Sequence, residues 1–180
     1  MIPTEAQCQA LWEKYNLPEN KRRHVTHVAE VAKFLAQRLR TKSLELKTDL
    51  LIAGALLHDI DKNAPKVAGE QHPAAAVRIL KEEGMEEVAS LIKTHPLHAI
   101  LDPAIVPKTW EEKILFLADK MVKYEIMTVD KRFALWQAEH LPPREQVILA
   151  ASYPRVKELE KEIFEIIGLK PEVVRQLVTK

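Results

Sequence analysis

Apolar residues recur at spacings of three and four along most of this chain, which is the period of a helix with one buried face. In the stretch 19–40 these positions form one continuous stripe and predict a long amphipathic helix. No stretch of useful length alternates with the period of a strand. The sequence therefore predicts an all-α fold, a compact bundle of about eight or nine helices. The other predicted helices cover about 5–15, 48–62, 73–83, 85–94, 110–126, 131–140, 143–167 and a short segment from 171.

Residues that start and stop helices mark several of these ends. Thr48-Asp49 and Thr109 are predicted N-caps, and Gly84 is predicted to close the helix that precedes it. The segment HPLHAILDPAIVPKTW carries three prolines, which predicts a loop or broken turns.

Composition narrows the classes of protein that the chain can belong to. Its 180 residues fit one domain, and the net charge of +1 gives no reason to expect binding to DNA or to a membrane surface. The single Cys8 excludes an internal disulfide framework and a zinc site of several cysteines. No signal-peptide-like run is seen at the start, and the apolar run 50–57 is too short to span a bilayer. We therefore expect a cytoplasmic protein.

The apolar run LLIAGALL ends abruptly on His58, Asp59, Ile60 and Asp61. A second carboxylate, Asp119, follows the apolar run ILFLA in the same way. A buried carboxylate costs several kcal/mol unless a salt bridge or a metal ion compensates it. The residues alone leave both forms of compensation open.

Six of the seven histidines come before residue 100, and His24 lies on the buried face of the helix 19–40. A borderline metal such as Zn, Mn or Fe prefers imidazole nitrogen and carboxylate oxygen donated from separate helices. One metal ion bound by four side chains would compensate the cost of burying all of them. These side chains are His24, His58, Asp59 and Asp119. Separate ion pairs and hydrogen-bonded core histidines are the alternative.

Three segments, RHVTHVAEVAKFL, LLHDIDK and ILFLADK, resemble in order and separation the HD-domain superfamily of metal-dependent phosphohydrolases. The resemblance covers residues 20 to about 125. It implies a single HD domain over 1–180, in which the helices of 130–180 cap the bundle. It also implies that His24, His58, Asp59 and Asp119 are metal ligands.

Two further segments resemble the binuclear members of that superfamily. HPAAAVRIL begins at His72, and IKTHPLH contains His95 and His98. The resemblance is closest to the bacterial symmetrical diadenosine-tetraphosphate hydrolases and other HDIG-type proteins. It implies two divalent ions (Fe, Mn, Zn, Co or Ni), with Asp59 bridging them, His72 and His95 on the second, and His98 as a candidate additional ligand. The chain departs from the subset at HPLHAILDP and at Asp61, where a small residue is common.

The resemblance implies hydrolysis of a phosphate ester or anhydride of a nucleotide by metal-activated water. Asp59 and Lys62 are the expected catalytic residues. Four basic residues are candidates for contacts to a phosphorylated small molecule, although each could be an ordinary surface charge: Lys62, Arg23, Lys66 and Arg132. A homodimer is a further expectation. The alternative function is a non-catalytic HD-like module that senses a nucleotide or metal or mediates an interaction.

Overall fold

The computed structural model describes residues 1–179 as helices joined by short connections. Within that range there are nine α-helices, two 3-10 helices (Leu97–Leu101 and Pro171–Val173) and no strand, which confirms the all-α prediction. The α-helices are α1 (Glu5–Lys14), α2 (Glu19–Arg40), α3 (Thr48–Leu57), α4 (Ala74–Glu82), α5 (Glu86–Ile92), α6 (Trp110–Lys120), α7 (Val129–Ala138), α8 (Pro143–Ile167) and α9 (Val174–Val178).

Local side-chain bonds explain where two of these helices begin. Thr109 accepts a hydrogen bond from the backbone N–H of Glu112, whose side chain in turn accepts from the backbone N–H of Thr109. Such a capping box satisfies two of the donors that a helix start leaves unpaired. The predicted cap at Thr109 is therefore confirmed, and Thr4 caps α1 in the same way.

Three expectations about helix bounds are wrong. Helix α3 ends at Leu57 and does not reach 62. The pair Thr48-Asp49 does not cap α3, because the helix already includes Thr48 and follows Lys47 without any side-chain cap bond. Helix α6 ends at Lys120 and does not reach 126. Beyond it the chain folds back into a bridge between Val122 and Ile126, both buried, so tertiary burial overrides the helical pattern.

Helix α3 lies at the centre of the bundle and packs against α1, α2, α5 and α6. Its Gly54 faces α5 closely, since a Cβ added there would lie 2.6 Å from Leu91 Cδ2. The apolar run of α3 is thus enclosed, and the polar residues that follow it emerge where α2, α3 and α6 meet.

The C-terminal helices pack on this core from outside. Helix α8 contacts α7, α6, α2 and the 3-10 helix Leu97–Leu101, and α9 contacts α2. The single-domain extent 1–180 stays a prediction. No helix within 1–179 combines the length and apolarity that a membrane span requires.

Candidate metal centre

His58 and Asp59 directly follow the last residue of α3, where the chain passes from helix into a series of turns. Adjacent residues point about 100° apart on a regular helix, so both can serve one site only where the helix ends. Here they do, since His58 Nε2 lies 4.0 Å from Asp59 Oδ1. Both side chains are buried, with His58 1% and Asp59 5% exposed.

His24 of α2 and Asp119 of α6 complete a first cluster with His58. His24 Nε2 lies 3.0 Å and His58 Nε2 3.5 Å from the same oxygen, Asp119 Oδ1. The three donor atoms lie within 4.8 Å of one another, close enough for one ion. Backbone carbonyls orient both rings, because Nδ1 of His58 bonds Ala55 at 2.8 Å and Nδ1 of His24 bonds Lys123 at 3.2 Å.

A second cluster shares His58 and adds Asp59 and His95, again with donor atoms within 4.8 Å of one another. His72 adjoins it, with Nε2 2.9 Å from His95 Nε2 and 3.7 Å from Asp59 Oδ1. All six predicted metal ligands therefore lie together. Asp59 Oδ1 lies between the two rings, 4.0 Å from His58 Nε2 and 3.7 Å from His72 Nε2.

Charged neighbours keep the carboxylates ionised. Burial opposes the charge of Asp59, but His58, Lys62 and Lys21 hold the pKa of this carboxyl well below its usual range. Lys62 Nζ lies 3.3 Å from Asp59 Oδ1, and Lys21 Nζ lies 3.2 Å from Asp59 Oδ2. Metal ligation requires this ionised form.

Asp119 and His95 are tuned in a related way. Burial opposes the charge of Asp119, yet Lys120, His24 and His58 hold the pKa of the carboxyl well below its usual range. Burial, aided by the neighbouring His58 and His72, holds the pKa of His95 well below its usual range. A neutral imidazole beside an ionised carboxylate is the donor pair that a divalent ion needs.

Sequence reasoning missed three charged residues of this site. Lys21 lies one helical turn before His24 on α2, a spacing that could have placed it near the ligands. Lys120 is only 2% exposed and donates from Nζ to Asp119 Oδ2 at 2.5 Å and to the His95 carbonyl at 2.8 Å. Asp61 was given no role in the site from the sequence, yet its Oδ1 lies 2.9 Å from Nδ1 of His72.

A cavity of about 650 Å³ opens beside these clusters. Of the expected phosphate contacts, Lys62 and Arg132 line it. Trp136 also lines it, and the Arg132 guanidinium stacks 3.8 Å above the centre of the indole ring. Nε and Nη1 of Arg132 are buried and have no hydrogen-bond partner among the described residues.

The structure places the other three expected residues outside this cavity. Arg23 is exposed beside Trp12, because it precedes His24 by one position and so points to another face of α2. His98 is exposed beside Val77, because the 3-10 helix after Pro96 turns it away from His95. Lys66 is exposed in the loop before α4 and does not line the cavity.

A family model described as HD domain matches residues 22–123, more than half of the chain and all six predicted ligands. The chain belongs to the HD-domain family. HD domains bind divalent metals and are generally metal-dependent hydrolases of a phosphohydrolase superfamily. The uncharacterized protein MJ0778 of Methanocaldococcus jannaschii is similar, with 31% identity over 146 residues, which covers 73% of this chain and 85% of that protein. No solved structure matches the chain significantly.

The donor groups of this HD domain fit a divalent metal. His58 Nε2 is buried and has no hydrogen-bond partner within residues 1–179, and it faces two carboxylates. Nitrogen and oxygen donors together suit borderline metals such as Zn, Mn, Fe, Co and Ni. The His/Asp clusters could therefore hold metal.

Proposed function

We propose that this HD domain is a phosphohydrolase with two divalent ions that cleaves a phosphate ester or anhydride of a nucleotide. The observation that carries the proposal is the pair of overlapping clusters, His24–His58–Asp119 and His58–Asp59–His95, beside a cavity lined by cations. A cavity of about 650 Å³ falls in the range of small-molecule sites and suits a nucleotide in size.

The ligands divide between the two ions by proximity. His24, His58, Asp59 and Asp119 would hold the first ion, and His72 and His95 would hold the second with Asp59 shared. Support comes from Asp59 Oδ1, which lies 4.0 Å from His58 Nε2 and 3.7 Å from His72 Nε2. Bound divalent ions in such a pair activate water and stabilise phosphoryl charge.

The side chains of the cavity would bind and orient the substrate. The Lys62 ammonium beside Asp59 would hold a phosphoryl oxygen and stabilise the charge that grows on it during in-line displacement. Arg132, whose guanidinium has no carboxylate partner among the described residues, would bind a phosphate of the nucleotide. Among nucleotides, a dinucleoside polyphosphate is the substrate that the resemblance to the diadenosine-tetraphosphate hydrolases favours.

Elemental analysis of the full chain, with phosphate release measured on a nucleotide panel, tests this proposal. We expect about two ions per chain, about one in His72→Ala, and no activity in His58→Ala or His72→Ala. His98→Ala is the matched control, since this exposed histidine lies outside the cavity and should leave both readouts unchanged.

Each contrary outcome has a definite meaning. One ion per chain, unaffected by His72→Ala, would reduce the site to four ligands and contradict the two-ion proposal. Bound metal and bound nucleotide without phosphate release would favour the non-catalytic sensor module. No metal under any loading condition would leave His58 and Asp59 as a buried polar pair.

A further inference from the structure

Asp61 is a buried carboxylate that the ligand set proposed above does not use. It lies in the turns after α3, and none of its surface is exposed to solvent. A carboxylate in such a place is costly unless it makes a specific interaction. Within residues 1–179 its side chain has one hydrogen-bond partner, Nδ1 of His72 at 2.9 Å, while its Oδ2 has none.

This contact determines which nitrogen of His72 is free. A carboxylate oxygen accepts hydrogen bonds, so in this contact Nδ1 of His72 carries the hydrogen and donates it to Asp61 Oδ1. The ring nitrogen left to bind a metal is then Nε2, which faces His95 Nε2 at 2.9 Å and Asp59 Oδ1 at 3.7 Å. That tautomer is the one in which His72 can bind a metal through Nε2.

The other three histidines of the site are oriented differently. Nδ1 of His24, His58 and His95 bonds a backbone carbonyl in each case. His58 and His95 follow the ends of α3 and α5 and each bonds a carbonyl three residues earlier, whereas His24 bonds the carbonyl of Lys123 beyond α6. His72 comes from the loop before α4 and is the most exposed of the four, so it depends on a side chain to orient it.

We infer that Asp61 is a positioning residue that fixes the tautomer and direction of His72 and thereby builds the second metal site. The inference rests on the proposed two-ion function. A carboxylate behind a ligating histidine also makes the imidazole a stronger donor, and loss of such a partner typically lowers metal affinity by about 10–100-fold. The effect should fall on the ion that His72 holds and should spare the ion held by His24 and Asp119.

Chelator-competition titration with Mn²⁺ or Zn²⁺ on the full chain tests this selectivity. In Asp61→Asn we expect the weaker of the two dissociation constants to rise by about 10–100-fold while the tighter one stays unchanged. Asp102→Asn is the matched control, because Asp102 is an exposed carboxylate whose side-chain bond is to the nearby Ala104 N–H. An equal loss of metal affinity at both sites in Asp61→Asn would show that Asp61 has a merely structural role and would overturn the inference.

A second measurement depends neither on metal nor on an Asp61 variant that folds. Long-range ¹H–¹⁵N spectra of the metal-free wild type report which ring nitrogen of His72 is protonated, with His72→Ala to assign the signal. We expect the Nδ1–H form, and the Nε2–H form would overturn the inference. If the Nδ1–H form is seen but the protein binds one ion or none, the two-ion function fails and the Asp61–His72 pairing stands.

Discussion

Gly54→Ala tests how the packing of α3 against α5 positions the candidate site. The added Cβ would lie 2.6 Å from Leu91 Cδ2, 3.3 Å from Leu91 Cγ and 3.6 Å from Leu115 Cδ2. The shortest of these distances is about 0.9 Å less than the ~3.5 Å separation of carbon atoms in favourable van der Waals contact. Leu91 is buried, so it cannot simply turn outward.

Two opposing effects set the size of the change. Overpacking of a well-filled core typically costs about 1–3 kcal/mol. Replacing glycine by alanine inside a helix gains about 1 kcal/mol. We therefore expect the free energy of unfolding of Gly54→Ala to fall by up to about 2 kcal/mol. His58 and His95 follow the ends of α3 and α5 with ring centres 4.9 Å apart, so separating these helices should also weaken metal binding.

Urea unfolding of the metal-free protein gives the stability, and a double-mutant cycle with Leu91→Ala identifies the cause. In the Leu91→Ala background the contact is absent, so Gly54→Ala should show only its helix-propensity gain and stabilise by about 1 kcal/mol. An equal effect of Gly54→Ala in both backgrounds would refute the reasoning that close contact with Leu91 requires glycine.

Three further predictions concern other parts of the molecule. Arg132→Ala should raise the KM for nucleotide in steady-state assays without changing the metal content, because the unpaired Arg132 guanidinium lines the cavity. The control Lys131→Ala, on the exposed side of α7, should change neither the KM nor the metal content. Thr109→Ala should lower the free energy of unfolding by about 0.5–2 kcal/mol in urea titration, since it removes the capping box of α6, and Thr109→Ser should restore most of it. The stability of the metal-free protein should decrease as pH falls below about 4, because the unfolded chain binds protons at Asp59 and Asp119 while the folded pKa values lie lower. A flat pH profile of the urea midpoint there would contradict this last prediction.

The sequence was informative about the site because polar ligands interrupt apolar helices. His24 stands in the stripe of α2, so periodicity marked it as buried. His58 and Asp59 were marked instead by their place at the end of the uninterrupted apolar run of α3. Helix bounds were predictable wherever a local signal sets them, as at Thr109. They were not predictable at the end of α6, where burial of Val122 and Ile126 decides the chain direction.

The cations of the cavity were harder to predict because loops and distant helices bring them together. Lys21 reaches Asp59 from 38 positions away in the sequence. Arg23, two residues later, was one of the expected phosphate contacts but points to another face of α2. The helical period predicts which face of a helix is buried. It does not predict which of two neighbouring basic residues, Lys21 or Arg23, reaches the site, because that depends on how the helices pack against one another.

The ammonium groups of the site explain how its carboxylates can be both buried and ionised. Lys62 and Lys21 each pair with a different oxygen of Asp59, the residue proposed to bridge two ions. Those oxygens are the ones that metal ions would bind, so ions and ammonium groups compete for the same lone pairs. Metal binding would therefore release Lys21 and Lys62 from Asp59 while both still line the cavity. The released positive charges would then face the proposed phosphorylated substrate, and phosphate binding would be coupled to metal binding at the proposed site.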